Sequence, residues 1–161
     1  MKARLAAIVL LLLSGTSAFA QPPERGDVVE AAPSHAGHRV LAVARRMVRR
    51  RTIVRGSCFD YIERAFGRAG YPAARRERIF SSVPEGPYAD LSLIAPGDWL
   101  FIVPHPDREP ELTHSVIFVR WLDRDAGRAE VVSYAGGNAR RPGGLVPYDL
   151  NHTYVIARAH D

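Results

Sequence analysis

One cysteine in 161 residues leaves no partner for a disulfide within the chain, so a disulfide-stapled scaffold is excluded. Long apolar runs are also absent. The longest, Leu5 to Leu13, has nine residues, whereas a membrane-spanning helix needs about 20. No large charge of one sign is present: Lys2 and Arg4 lie in the first twenty residues, and the rest carries 20 basic and 17 acidic side chains, a formal +3. Such a balance permits contact with an acidic polymer or surface without demanding it. There is no internal repeat and no alternating strand–helix pattern. The glycines of "GGNARRPGG" are followed by neither the Lys-Ser pair nor the helix that a phosphate-cradling loop needs.

The first twenty residues have the three parts of a signal peptide: Lys2 and Arg4, the run "LAAIVLLLL", and the small-residue triplet ending at Ala20. A cut after Ala20 would release an exported chain of 141 residues, periplasmic or secreted, without a transmembrane segment. That length suits one domain with its own core. Residues 21–36, rich in Pro, Gly, Ala and charge, read as a flexible segment, and His35 and His38 about its end read as solvated tail histidines rather than a metal pair. From Gly37 to Arg51, Val40, Ala44, Met47 and Val48 recur at helical spacing, opposite a basic face. Six arginines lie between positions 45 and 55. They read as a solvated helix face or as a contact for an anionic envelope polymer, and no stacking aromatics accompany them as nucleic-acid binding would require.

A second helix begins in "RGSCFDYIERAFGRAGYP". Ser57 can cap its first turn, Asp60 can reach back as the acidic half of a capping box, and Gly70 with Tyr71-Pro72 ends it. Phe59, Ile62, Phe66 and Ala69 form its apolar side. Residues 73–94 read as a long loop holding a short helix. Beyond Pro96-Gly97-Asp98 the runs at 99–103, 115–122, 129–134 and 153–159 read as strands, with "DRDAGR" as a hairpin turn. Helices followed by a meander of strands predict an α+β domain, its helices packed on an antiparallel sheet.

Cys58 is then an inert buried thiol, an intermolecular crosslink or a reactive group. Its place in the first helical turn favours the last, because unpaired N–H groups and the helix dipole stabilise a thiolate. A thiolate nucleophile needs a base, usually histidine. Of the six histidines, His114 stands directly before an apolar strand that would hold its ring. A third group must orient the imidazole. The hairpin returns "SYAGGN" to the same end of the sheet, offering Ser133 and Asn138.

In order along the chain, "VLAVARRMV", "GSCFDYIERAF", "APGDWLFI", "HSVIFV", "GGNARRPGGLVPY" and "YVIARA" resemble the NlpC/P60 and CHAP branches of the papain-like cysteine peptidases and amidases, from about Val40 to Ala159. The resemblance implies a papain-like domain over 37–161, with Cys58 as nucleophile, His114 as base and acid, and Asn138 as orienting residue, Ser133 being the reserve. It implies a monomeric hydrolase of peptide or amide bonds in cell-wall peptidoglycan, needing no metal or cofactor and no nucleic acid. A papain-like fold kept as a non-catalytic wall-binding or partner-binding module is the alternative.

Overall fold

A computed structural model describes residues 32–107, 109, 112–136 and 141–161; residues 1–31, and with them the signal-peptide reading, lie outside that set. The first helix, α1 (His35–Arg49), starts two residues before the expected point, because the Ser34 side chain accepts a hydrogen bond from Gly37 N–H at 3.0 Å. His35 and His38 therefore belong to the helix rather than to a loose tail, and His35 Nδ1 lies 3.2 Å from the Asp161 carboxylate. Val40, Leu41, Ala44 and Met47 are buried along one stripe, while Val48 is only partly so.

Past the helix end the chain turns through Arg51 at φ 51°, and Thr52 N–H returns to Met47 C=O at 3.0 Å. Left-handed geometry costs a residue with a Cβ about 1–2 kcal/mol and costs glycine almost nothing. Glycine's freer unfolded state takes back part of the gain. Arg51→Gly should stabilise the fold by about 1 kcal/mol, seen as a raised urea midpoint at constant m-value.

The second helix, α2 (Cys58–Ala69), begins and ends where the sequence places it. Asp60 accepts hydrogen bonds from Ser57 N–H at 2.7 Å and Ser57 Oγ at 2.8 Å, and these hold its carboxyl below the ordinary range. Gly70, at φ 92°, supplies the left-handed cap before Tyr71 and Pro72. Tyr61, Ile62, Ala65, Phe66 and Ala69 face inward. Phe59 is only partly covered: it is 46% exposed, although its ring rests against Trp99.

Six antiparallel strands follow: β1 (Arg76–Ser81), β2 (Trp99–Ile102), β3 (His114–Asp123), β4 (Arg128–Ser133), β5 (Gly144–Asp149) and β6 (Thr153–Ala159), in the spatial order β1-β6-β2-β3-β4-β5. The four expected strands are the four inner ones. The two unexpected strands are the edges, where charge and proline are tolerated: β1 reads "RERIFS" and β5 contains Pro147. Residues 73–94 thus hold an edge strand between the short 3₁₀ turns Ala73–Arg75 and Leu91–Leu93, not a loop around one helix.

Alternation along the strands divides the apolar residues between two cores. Trp99, Ile117, Val119 and Val132 pack under α1 and α2, while Leu100, Ile102, Val116, Phe118 and Ile156 fill the opposite face. The Pro96-Gly97-Asp98 turn connects this sheet to α1. A Cβ on Gly97 would stand 2.5 Å from the Gly37 Cα, so only glycine lets the turn and the helix approach this closely.

Candidate functional site

The approach to Cys58 is held from the sheet. The buried Tyr134 hydroxyl accepts from Val54 N–H at 3.1 Å and donates to Val54 C=O at 2.6 Å. Two residues further, a Cβ placed on Gly136 would stand 3.5 Å from Gly56 O and 4.0 Å from Ser57 Cα, so the segment after β4 lies directly against the residues that precede the thiol. Cys58 itself is half-buried at the first position of α2.

His114 is the first residue of β3, an inner strand, and its Nε2 lies 2.8 Å from Ser133 Oγ. The pairing of Val116 with Ser133 explains this contact: His114 lies two residues from Val116, so both side chains project from one face. Tyr148 of β5 stacks on the imidazole at 5.5 Å between ring centres, 25° from parallel. Burial pushes the His114 pKa below the ordinary 6.5, leaving the ring neutral at pH 7.

A depressed histidine pKa has a definite sign in stability. Below about pH 6.5 the unfolded chain takes up the proton before the folded one, so stability falls as pH drops through the window between the unfolded and folded values. Above that window the group contributes nothing. An NMR titration should place the His114 midpoint below 6.5, and His114→Gln should flatten this part of the stability–pH curve.

Two of the residues expected at the site are joined, His114 and Ser133. Asn138 lies outside the described residues. Cys58 and His114 come to the same end of the sheet from its two faces: α2 packs on the face of Ile117 and Val119, whereas His114 shares its face with Val116 and Phe118. No hydrogen bond joins the two among the described residues. Tyr154 marks how near they come. Burial raises its pKa, with Cys58 adding to the rise, while a side-chain hydrogen bond with Thr113, the neighbour of His114, lowers it. The other histidines take other contacts: His105 borders the depression in front of His114, and His152 meets the Tyr88 ring edge-on at 4.8 Å.

The exposed Phe59 has a role that its helical spacing concealed. Its ring lies 4.9 Å from Trp99 and 6.2 Å from Phe101, and these aromatics wall a groove of about 220 Å³ that Glu63 and Arg76 also line. Arg76 closes the rim through two bonds to the Glu63 carboxylate, at 2.6 and 2.9 Å, with its guanidinium 5.3 Å from the Trp99 ring centre. An apolar floor with a few fixed polar groups suits a side chain of a bound substrate. Among the described residues, no group of three or more His, Cys, Asp or Glu could hold a metal ion, and no helix is long and apolar enough to cross a membrane. Comparison with protein-family models, with curated proteins and with solved structures finds no match to this chain.

Proposed function

We propose that this protein is an exported cysteine hydrolase of the papain-like type, related to the NlpC/P60 and CHAP branches, that cuts peptide or amide bonds of cell-wall peptidoglycan. The observation that carries the proposal is the 2.8 Å contact of Ser133 Oγ with His114 Nε2, at the same end of the sheet as a thiol in the first turn of a helix. With Nε2–H donating to Ser133, the lone pair of Nδ1 is the basic site of the ring. Ser133 takes the orienting role on this reading.

The chemistry is acyl transfer. Nδ1 removes the thiol proton, and the Cys58 sulfur attacks the carbonyl carbon of the scissile bond. The amine departs with the proton returned by the imidazolium, leaving a thioester on Cys58. Water then adds with His114 again as base, and the thioester breaks to a carboxylate and the free thiol. For the first proton to pass, the start of β3 must carry the imidazole round the end of the sheet towards Sγ, because the ring rests on the face opposite α2. Catalytic hydrogen bonds in ligand-free sites are commonly long and tighten only around substrate. The Phe59–Trp99–Phe101 groove supplies a place for the substrate that could drive this closure.

A second reading, a wall-binding or partner-binding module without catalysis, is favoured by the missing hydrogen bond between Cys58 and His114. One experiment separates the two. Wild type and Cys58→Ala are incubated with purified sacculi, and released muropeptides are identified by mass spectrometry. Fragments from wild type alone support the hydrolase and name the bond. Equal clearance by Cys58→Ala would sink the cysteine mechanism, and retention on sacculi without release by either protein supports the binding module.

A further inference from the structure

We infer that the surface where the end of α1 faces α2 is a binding site for phosphate groups, held by the guanidinium groups of Arg46, Arg50 and Arg68. These three, with Thr52, Val43 and Met47, line one depression of about 300 Å³. None of the three arginines makes a side-chain hydrogen bond or an ion pair among the described residues. Elsewhere three arginines have close acidic partners: Arg76 with Glu63, Arg120 with Glu130 and Arg158 with Asp98. Around this depression it offers no acid. From residue 31 to residue 59 the sequence carries seven arginines and neither aspartate nor glutamate, and the acids that α2 does contain are engaged, Asp60 by Ser57 and Glu63 by Arg76.

A basic helix end has an ordinary explanation, since cations favour the negative end of the helix dipole. That accounts for a single arginine in the last turn of α1. It does not account for Arg46 and Arg50 placed four residues apart, where like charges repel, nor for a third guanidinium brought to the same depression by the other helix. The arrangement is a liability in the empty protein and becomes favourable when an anion sits among the three. A planar guanidinium donates two parallel hydrogen bonds to a tetrahedral oxyanion, and three of them match a multiply charged group better than a single carboxylate. Phosphate is the common anion of that kind. The site lies apart from the thiol chemistry, so its ligand need not be the substrate.

The test uses the full chain and two probes, inorganic triphosphate by calorimetry and vesicles of phosphatidylglycerol against phosphatidylcholine by co-sedimentation. The triple variant Arg46→Gln/Arg50→Gln/Arg68→Gln is compared with Arg120→Gln/Arg124→Gln/Arg128→Gln, which loses the same charge elsewhere. Wild type and the second variant should bind triphosphate alike, weakening with added salt. The first variant should bind at least about tenfold more weakly, the scale of one charge-assisted hydrogen bond. Binding to phosphatidylglycerol vesicles alone, lost in the first variant only, would place the phosphate in a lipid headgroup. Equal losses in both variants, unchanged binding by the first, or no binding of either probe by wild type would each overturn the proposal.

Discussion

Cys58→Ala should lower the rate of fragment release from sacculi by at least about 10³-fold, to the background of the assay, with the melting temperature nearly unchanged. The thiol is half-buried at a helix start and makes no hydrogen bond to any described residue, so its removal leaves no buried group unpaired. On the proposed hydrolase reading, the loss belongs to chemistry alone. His114→Ala should fall almost as far, because general acid–base transfer is worth about 10²–10⁴-fold and the nucleophile depends on it. Ser133→Ala should cost less, about 10–100-fold, since the hydroxyl acts only by holding Nε2. That gradation is the signature of a working set. Members acting as one unit also fail to add, so the Cys58→Ala/His114→Ala pair should be no worse than Cys58→Ala alone. If Ser133→Ala is neutral while His114→Ala is dead, the orienting role passes to another residue. If both His114 and Cys58 variants retain activity, hydrolysis by this thiol is wrong.

The acid limb of the pH–rate profile provides a second view of the same assignment. Because burial disfavours the imidazolium, the base should remain active below the ordinary histidine pKa of 6.5. The kcat/KM limb of wild type should therefore fall at lower pH than a solvated histidine would give.

Why some of this architecture could be read in advance, and some not, follows from the physics of each element. Local chemistry defines α2: Ser57 and Asp60 interact three residues apart, and Gly70 ends the helix in the left-handed region. The inner strands carry continuous apolar runs because both sheet faces are buried. Edge strands escape, since β1 and β5 pair on one side only and keep polar or proline-containing sequences. Missing β5 also hid Tyr148, whose stacking on His114 depends on that strand. Strand alternation puts Ser133 on the face of His114 once the hairpin register is set, so this pair is legible from the sequence. Helical periodicity puts Phe59 on the apolar side, where its ring meets Trp99 and Phe101. The open groove that leaves it half exposed depends on the sheet and is not written in the helix.

Asp98→Ala should destabilise the fold by about 3–5 kcal/mol, the cost of breaking a buried ion pair. Asp98 is 1% exposed. Its carboxylate accepts from Arg158 Nε and Nη2 and from Ala95 N–H, each at 2.8 Å, while Arg158 Nη2 also donates to Leu93 C=O at 2.7 Å. The pair thus ties β6 to the turn that enters β2, the same turn that Gly97 presses against α1. Removing the carboxylate releases that turn and leaves a half-buried guanidinium unpaired. A domain of this size holds about 5–15 kcal/mol in total, so urea unfolding should show a large part of it gone. Burial pushes the Asp98 carboxyl up despite the arginine and the Ala95 N–H, and the pair raises Arg158 in turn. An acid whose folded pKa is raised loses stabilising effect as pH rises from its unfolded value through the folded one. Arg158→Ala removes the cation that holds this rise in check, so it should destabilise more at pH 7 than at pH 5. A loss below about 1 kcal/mol for Asp98→Ala, with no such pH dependence in Arg158→Ala, would show that the turn is held by packing rather than by the ion pair.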